Sequence, residues 1–154
     1  MGNICRSPTA HGVFQNFVDG NDLNKTVVVD SAGTHAYHIG KKPDERAIST
    51  AAKRNYNLSK LRARQVVDID FKKFDYLLAM DNENYSNLLA QCDIEYHHKV
   101  KLFLEFATVH SDIHEVPDPY YGCLNGFETV LDLVEDACKG LLEHIKNTHF
   151  PNSE

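Results

Sequence analysis

Tryptophan is absent from this chain, and methionine, proline and cysteine are sparse, with two, five and four copies in 154 residues. The cysteines, Cys5, Cys92, Cys123 and Cys138, form no Cys-x-x-Cys pair. That argues against a structural metal site or disulfide framework and fits a reducing, cytoplasmic setting. No apolar run approaches the roughly 18 residues of a membrane span, and the polar opening "MGNICRSPTA" reads as neither signal peptide nor myristoylation site. Positive charge is also in deficit, since 16 basic residues face 22 acidic ones for a net charge of -6. A nucleic-acid or anionic-membrane partner is therefore not expected, although a local anion pocket is compatible with that balance. The histidines near position 36 and the pair at 97 and 98 lack a tetrahedral ligand set, so no metal is expected.

What is present suits one globular domain over residues 1–154: 42% hydrophobic and 25% charged residues, without linker, repeat or low-complexity tract. Ser7-Pro8 predicts a helix start, with Ser7 as N-cap and Pro8 at the first helical position; Ala10, Val13, Phe14, Phe17 and Val18 follow at helical spacing to Gly20. "TVVVDSAGT" (Thr26 to Thr34) reads as a buried strand, "DERAISTAAKRNYN" (Asp44 to Asn57) as a helix with Ala47, Ile48, Ala51 and Ala52 inward, and "FDYLLAMD" (Phe74 to Asp81) as a second buried strand. A helix over 82–92, a third strand over His98 to Phe106 and a long amphipathic helix over 126–147 complete the pattern. Alternation of strands and helices predicts an α/β fold with a parallel sheet covered on both faces. Its chemistry belongs in the polar loops at the carboxyl ends of the strands: "DSAGT", "AMD" and "VPDPYYG".

The opening loop, Gly2-Asn3-Ile4-Cys5-Arg6-Ser7, runs straight into a helix N-terminus. Successive amides there make an anion nest, supported by the helix dipole. Arg6 can clamp two phosphate oxygens at once, as a lysine cannot. Ser7 can donate a hydrogen bond or cap the helix.

"GNICRSP" resembles the phosphate loop of the low-molecular-weight protein tyrosine phosphatases, and "DSAGT", "ARQ" (Ala63 to Gln65), "FDYLLAMD" and "DPYYG" (Asp118 to Gly122) match the same family in order. The resemblance covers essentially the whole chain. It implies a flavodoxin-like, doubly wound sheet of four parallel strands and cofactor-free, two-step hydrolysis of phosphotyrosine proteins and small aryl phosphates through a phosphocysteine, releasing inorganic phosphate. It further implies Gly2 to Ser7 as the phosphate-binding loop, Arg6 as the clamp, Asp118 as the acid that protonates the leaving phenolate, Tyr120 and Tyr121 as a wall for the substrate ring, and Asn3 with Ser31 as a polar pair supporting the loop. Ser7 would stabilise a thiolate. Leu61 departs from the pattern, standing where many relatives carry histidine.

The family's nucleophilic cysteine stands six residues before the arginine, and counting back from Arg6 passes Met1. Cys5 matches the second loop cysteine, a redox neighbour badly placed for in-line attack. The expectation is therefore of an N-terminally truncated domain, lacking the nucleophile and first strand because of a start placed too late, and inactive as written. Two alternatives stand beside this one: a non-catalytic phosphate-binding module, and a thiol-dependent arsenate reductase, for which Cys92 is the only cysteine in the right segment.

Overall fold

The computed structural model describes residues 4–119 and 125–152. Among these residues, five α-helices and two short strands occur in the order α1 (Arg6–Gly20), α2 (Glu45–Ala52), α3 (Asp68–Lys73), β1 (Leu77–Ala79), α4 (Asn82–Gln91), β2 (Val100–Leu102) and α5 (Gly126–His149). β1 and β2 pair in parallel, with Leu77, Leu78 and Ala79 opposite Val100, Lys101 and Leu102.

Both faces of this pair are covered. Ala79 and Val100 pack with Phe71 of α3 and with Leu88 and Cys92 of α4. On the other face Leu78 and Met80 meet Val13, Phe14 and Val18 of α1 and the apolar stripe of α5 from Val130 to Ile145. α5 buries all six of its expected inward positions, Val130, Leu133, Val134, Ala137, Leu141 and Ile145. It lies so close to the turn at 103–106 that a Cβ on Gly140 would overlap the Phe106 carbonyl.

The expected sheet of four strands is corrected: among the described residues the ladder has two. Thr26 to Thr34 is not a buried strand. Val28 is 70% exposed, while Val27 and Val29 are half-buried against the core. The segment meets a neighbour only at Gly33, which forms an isolated parallel bridge with Gln65. Alternation sets which side chains face inward, but a strand exists only where a second backbone bonds it. The other two strands are shorter than their apolar runs, because 3-10 turns over Ile94–Lys99 and Phe103–Phe106 curl the partner chain away on both sides of β2. Between α1, the 26–34 segment, β1 and α5 lies an apolar cleft of about 490 Å³, bordered by Phe14, Val27, Val29, Leu78, Met80 and Ile145.

Helix ends also differ. Cys5, not Ser7, is the N-cap of α1, without a side-chain cap bond; Thr9 instead returns its hydroxyl to the Cys5 carbonyl at 2.7 Å. Pro8 falls one turn in, where its missing N–H still costs nothing. α2 stops at Ala52, not Asn57, as the chain turns through Asn55 at φ 68°; within it Ala47 and Ala51 are buried but Ala52 is exposed. α3 was not expected, being too short for its pattern to show.

One buried carboxylate organises the far end of the molecule. Asp136 of α5 accepts the backbone amides of Thr108, Val109 and His110, at 3.0, 3.1 and 2.7 Å, and the Thr108 hydroxyl. Burial pushes this carboxyl up, but the three amides and the His110 ring outweigh it and hold the group well below the usual carboxylate range. A depressed folded value stabilises the fold fully above the unfolded carboxylate value near pH ~4, and that contribution is lost as pH falls toward the folded value. Asp136→Asn should therefore cost about 2–3 kcal/mol in urea unfolding at pH 7. The gap between wild type and variant should narrow as unfolding is repeated below about pH 4.

Candidate active site

The candidate site forms where α1, the carboxyl end of β1 and the 114–119 loop converge. Arg6 leaves the first turn of α1 and is buried, with 5% exposure. Its Nη1 donates to Asp81 Oδ2 at 2.7 Å and to the Val116 carbonyl at 2.8 Å. Asp81 follows β1, and its other oxygen caps α4 by accepting the Asn84 amide at 2.7 Å. Burial pushes the Asp81 carboxyl up, but the Asn84 amide and the Arg6 guanidinium hold it below its ordinary value. Val116 is tied in turn to the end of β1, its amide donating to the Met80 carbonyl at 2.7 Å. Both bonds of Arg6 use Nη1, so among the described residues the Nε–Nη2 edge remains for a ligand, the edge a tetrahedral oxyanion engages through two oxygens.

Of the expected loop residues, Gly2 and Asn3 lie outside the described residues. Ile4 is half-buried, and its carbonyl accepts the Asp44 amide at 2.7 Å, joining the loop to the start of α2. Cys5 is buried. Burial, followed by the carboxylates of Asp44 and Asp118, pushes its thiol up to about 12, while Arg46 and Arg6 act in the opposite sense. These same fields show what surrounds the loop: Asp118 reaches it electrostatically, as do Asp44 and Arg46, which were not foreseen. Arg46 binds Asp44 through two nitrogens, at 3.1 and 3.0 Å, and lies over the Phe127 ring. Ser7 sits in the first turn of α1 rather than capping it, and borders the apolar cleft.

Asp118 is half-buried and precedes Pro119, which packs against the start of α5; a Cβ at Gly126 would stand 3.3 Å from the proline Cβ. Tyr120 and Tyr121, the expected ring wall, lie outside the described residues. Ser31, expected to pair with Asn3, has its Oγ 2.9 Å from His11 Nδ1. Neither Asp81 nor His11 was singled out from the sequence; the "AMD" match was the available signal for Asp81, and nothing marked His11. Among the described residues no cluster of His, Cys, Asp or Glu could hold a metal ion, and no helix is long and apolar enough to cross a membrane. Cys92 is buried and burial raises its thiol, a poor setting for a disulfide relay.

Comparison with known proteins agrees with this geometry. The model of a family described as low molecular weight phosphotyrosine protein phosphatase matches residues 1–150. The match begins at the first residue and lends no support to the expectation of a truncated, inactive domain. A putative low molecular weight protein-tyrosine-phosphatase of Synechocystis is 49% identical over 143 residues, covering 92% of this chain and 90% of the relative. A solved protein tyrosine phosphatase from Entamoeba histolytica, with Hepes in its active site, superposes with a TM-score of 0.91 at 41% identity, covering 96% of this chain and 93% of that one. YfkJ of Bacillus subtilis gives 0.90 at 34%, covering 97% and 92%.

The Cys5 environment makes a direct forecast. With its thiol at about 12, Cys5 carries a thiolate fraction at pH 7.5 some 10³-fold below that of an ordinary cysteine. Iodoacetamide should label it more slowly than a free thiol by at least about that factor, burial adding to the protection. Peptide mass spectrometry over a time course measures this, and rapid labelling would mark Cys5 as an activated thiol.

Proposed function

This chain belongs to the low-molecular-weight phosphotyrosine protein phosphatase family, and we propose that it hydrolyses phosphotyrosine in proteins and small aryl phosphates at the Arg6 site, without a cofactor. The observation that carries this reading is the fixed guanidinium: Arg6 is gripped on one nitrogen by Asp81 and the Val116 carbonyl, and its Nε–Nη2 edge takes no hydrogen bond from the described residues. A phosphoryl group would bind that edge together with the amides at the N-terminus of α1, where the helix dipole favours negative charge. In a dissociative transition state the charge sits on the three equatorial oxygens, and a preset planar cation stabilises it without reorganising. Asp118 would protonate the phenolate oxygen as the P–O bond breaks and then, as the carboxylate, take a proton from the water that attacks the phosphoenzyme. Tyr120 and Tyr121 would wall the ring, Ser7 would stabilise the attacking thiolate, and Ser31 would brace the loop.

The attacking thiol belongs six residues before Arg6, and none of the four cysteines has that register. Among the described residues, β1 is paired on one edge only, and the apolar cleft lies beside its other edge. The alternatives are less favoured: a bare phosphate-binding module leaves the field of Asp118 at the loop without a task, and an arsenate reductase lacks a suitable relay thiol.

The test uses p-nitrophenyl phosphate and phenyl phosphate with two proteins: the 154-residue chain, and the chain lengthened at its amino end by a strand that carries cysteine in the stated register. The 154-residue chain should bind oxyanions, and the longer one should turn over both esters. In the longer protein Arg6→Lys should nearly abolish hydrolysis, since a point charge does not reproduce the fork. Asp118→Asn should slow phenyl phosphate by about 10²-fold or more and p-nitrophenyl phosphate by less, because the better leaving group needs less protonation. Equal losses on the two esters would remove Asp118 from the role of acid.

A further inference from the structure

Asp44 stands where α2 begins and reaches the anion loop through its main chain. Its amide donates to the Ile4 carbonyl at 2.7 Å. That carbonyl and the Cys5 amide belong to one planar trans peptide unit, so they point in opposite directions and turn together. The bond from Asp44 therefore fixes the Cys5 N–H as well, and aims it away from α2. Cys5 is buried, and no acceptor among the described residues takes its amide. A buried N–H without an acceptor is destabilising, and an oxyanion in the loop would supply one.

The Asp44 side chain holds the main chain in this pose. Its Oδ1 accepts the Arg46 amide at 2.8 Å and so caps α2. The Arg46 guanidinium binds both carboxylate oxygens, at 3.1 and 3.0 Å, and lies over the ring of Phe127 at the start of α5, 4.8 Å from its centre. We propose that Asp44 is a positioning residue: by capping α2 its side chain fixes the bond from its amide to the Ile4 carbonyl, and through that bond it aims the Cys5 N–H at a bound oxyanion. The inference rests on the reading of the loop as a phosphate site.

Positioning and charge act here with opposite signs. The hydrogen bond from Arg46 holds the Asp44 carboxyl below its ordinary value, so the group is ionised at pH 7. Its field reaches Cys5, and a negative charge there opposes an anion. Removing the carboxylate should therefore tighten anion binding if charge alone mattered, and weaken it if the cap holds the loop. Asparagine separates the two, because it caps a helix about as well as aspartate and carries no charge.

Inorganic phosphate is the probe. It is titrated at pH 7 into the isotope-labelled 154-residue chain and followed by amide NMR shifts, with the urea midpoint recorded for every variant. In the wild type the Cys5 amide should shift as phosphate binds. Asp44→Ala should weaken phosphate binding about fivefold, as for one lost hydrogen bond, and should reduce the Cys5 shift at saturation. Asp44→Asn should bind at least as tightly as the wild type and keep the full shift. A cap that serves helix stability alone would lower the urea midpoint of Asp44→Ala and leave its affinity unchanged, which would overturn the proposal. Tighter binding by Asp44→Ala, or binding by Asp44→Asn as weak as by Asp44→Ala, would overturn it too. A wild-type chain without measurable phosphate affinity would bring down the phosphate-site reading, and this inference with it; phosphate binding that leaves the Cys5 amide unmoved would bring down this inference alone.

Discussion

The grip of Asp81 and the Val116 carbonyl on one nitrogen of Arg6 is the constraint on which the site depends. Three chain segments distant in sequence meet there: the first turn of α1, the residue that follows β1, and the loop before Pro119. Burying a guanidinium without a partner would cost several kcal/mol, so the charge of Asp81 and the carbonyl dipole are needed for Arg6 to sit where it does. Asp81 is itself anchored as the cap of α4. Its two oxygens thus serve two elements, and the guanidinium is held by a helix start rather than by a mobile side chain. In the proposed reading, an oxyanion on the opposite edge would need little rearrangement, as a preset cation contributes to phosphoryl transfer.

The same convergence accounts for the raised thiol of Cys5. It shares the loop with Arg6, yet burial and the neighbouring carboxylates of Asp44 and Asp118 raise its thiol, and the two arginines do not compensate. Being near a cation is not enough to activate a thiol; the charge must outweigh desolvation. In the proposed mechanism the Asp118 carboxyl, whose charge disfavours a thiolate at Cys5, has a different task, proton donation to a leaving group. One local field thus separates the roles of neighbouring residues in this reading.

Away from the site, the architecture is held by helices more than by its sheet. α5 supplies much of the apolar core, anchors the 108–110 loop through Asp136 and holds the end of α2 through Arg54, whose guanidinium binds Glu128, Asp132 and Glu135. The sheet is the less extensive part, with two strands among the described residues and an apolar cleft between β1 and the 27–32 segment.

What the sequence determined by itself was local and periodic. The inward stripe of α5, the body of α1, the start of α2 next to Asp44 and the order of apolar runs through Leu77–Ala79 and Val100–Leu102 follow from side-chain spacing, and the structure realises them. The candidate site residues, Arg6 at a helix start and Asp118 before a proline, were also named from residue type and spacing, which encode what a short backbone stretch can present. The number of strands was not legible. Val27 and Val29 alternate as strand residues must, but a ladder needs a second backbone at bonding distance, and that is a property of the assembled chain. Asp81, His11 and Asp136 were missed for the same reason. Each has a role set by what the fold carries next to it: a guanidinium 75 positions away, a serine 20 away, and three amides 26 to 28 away. Only the tertiary structure brings such partners within hydrogen-bonding distance, because spacing along the chain constrains neighbours within a turn and leaves distant ones to packing.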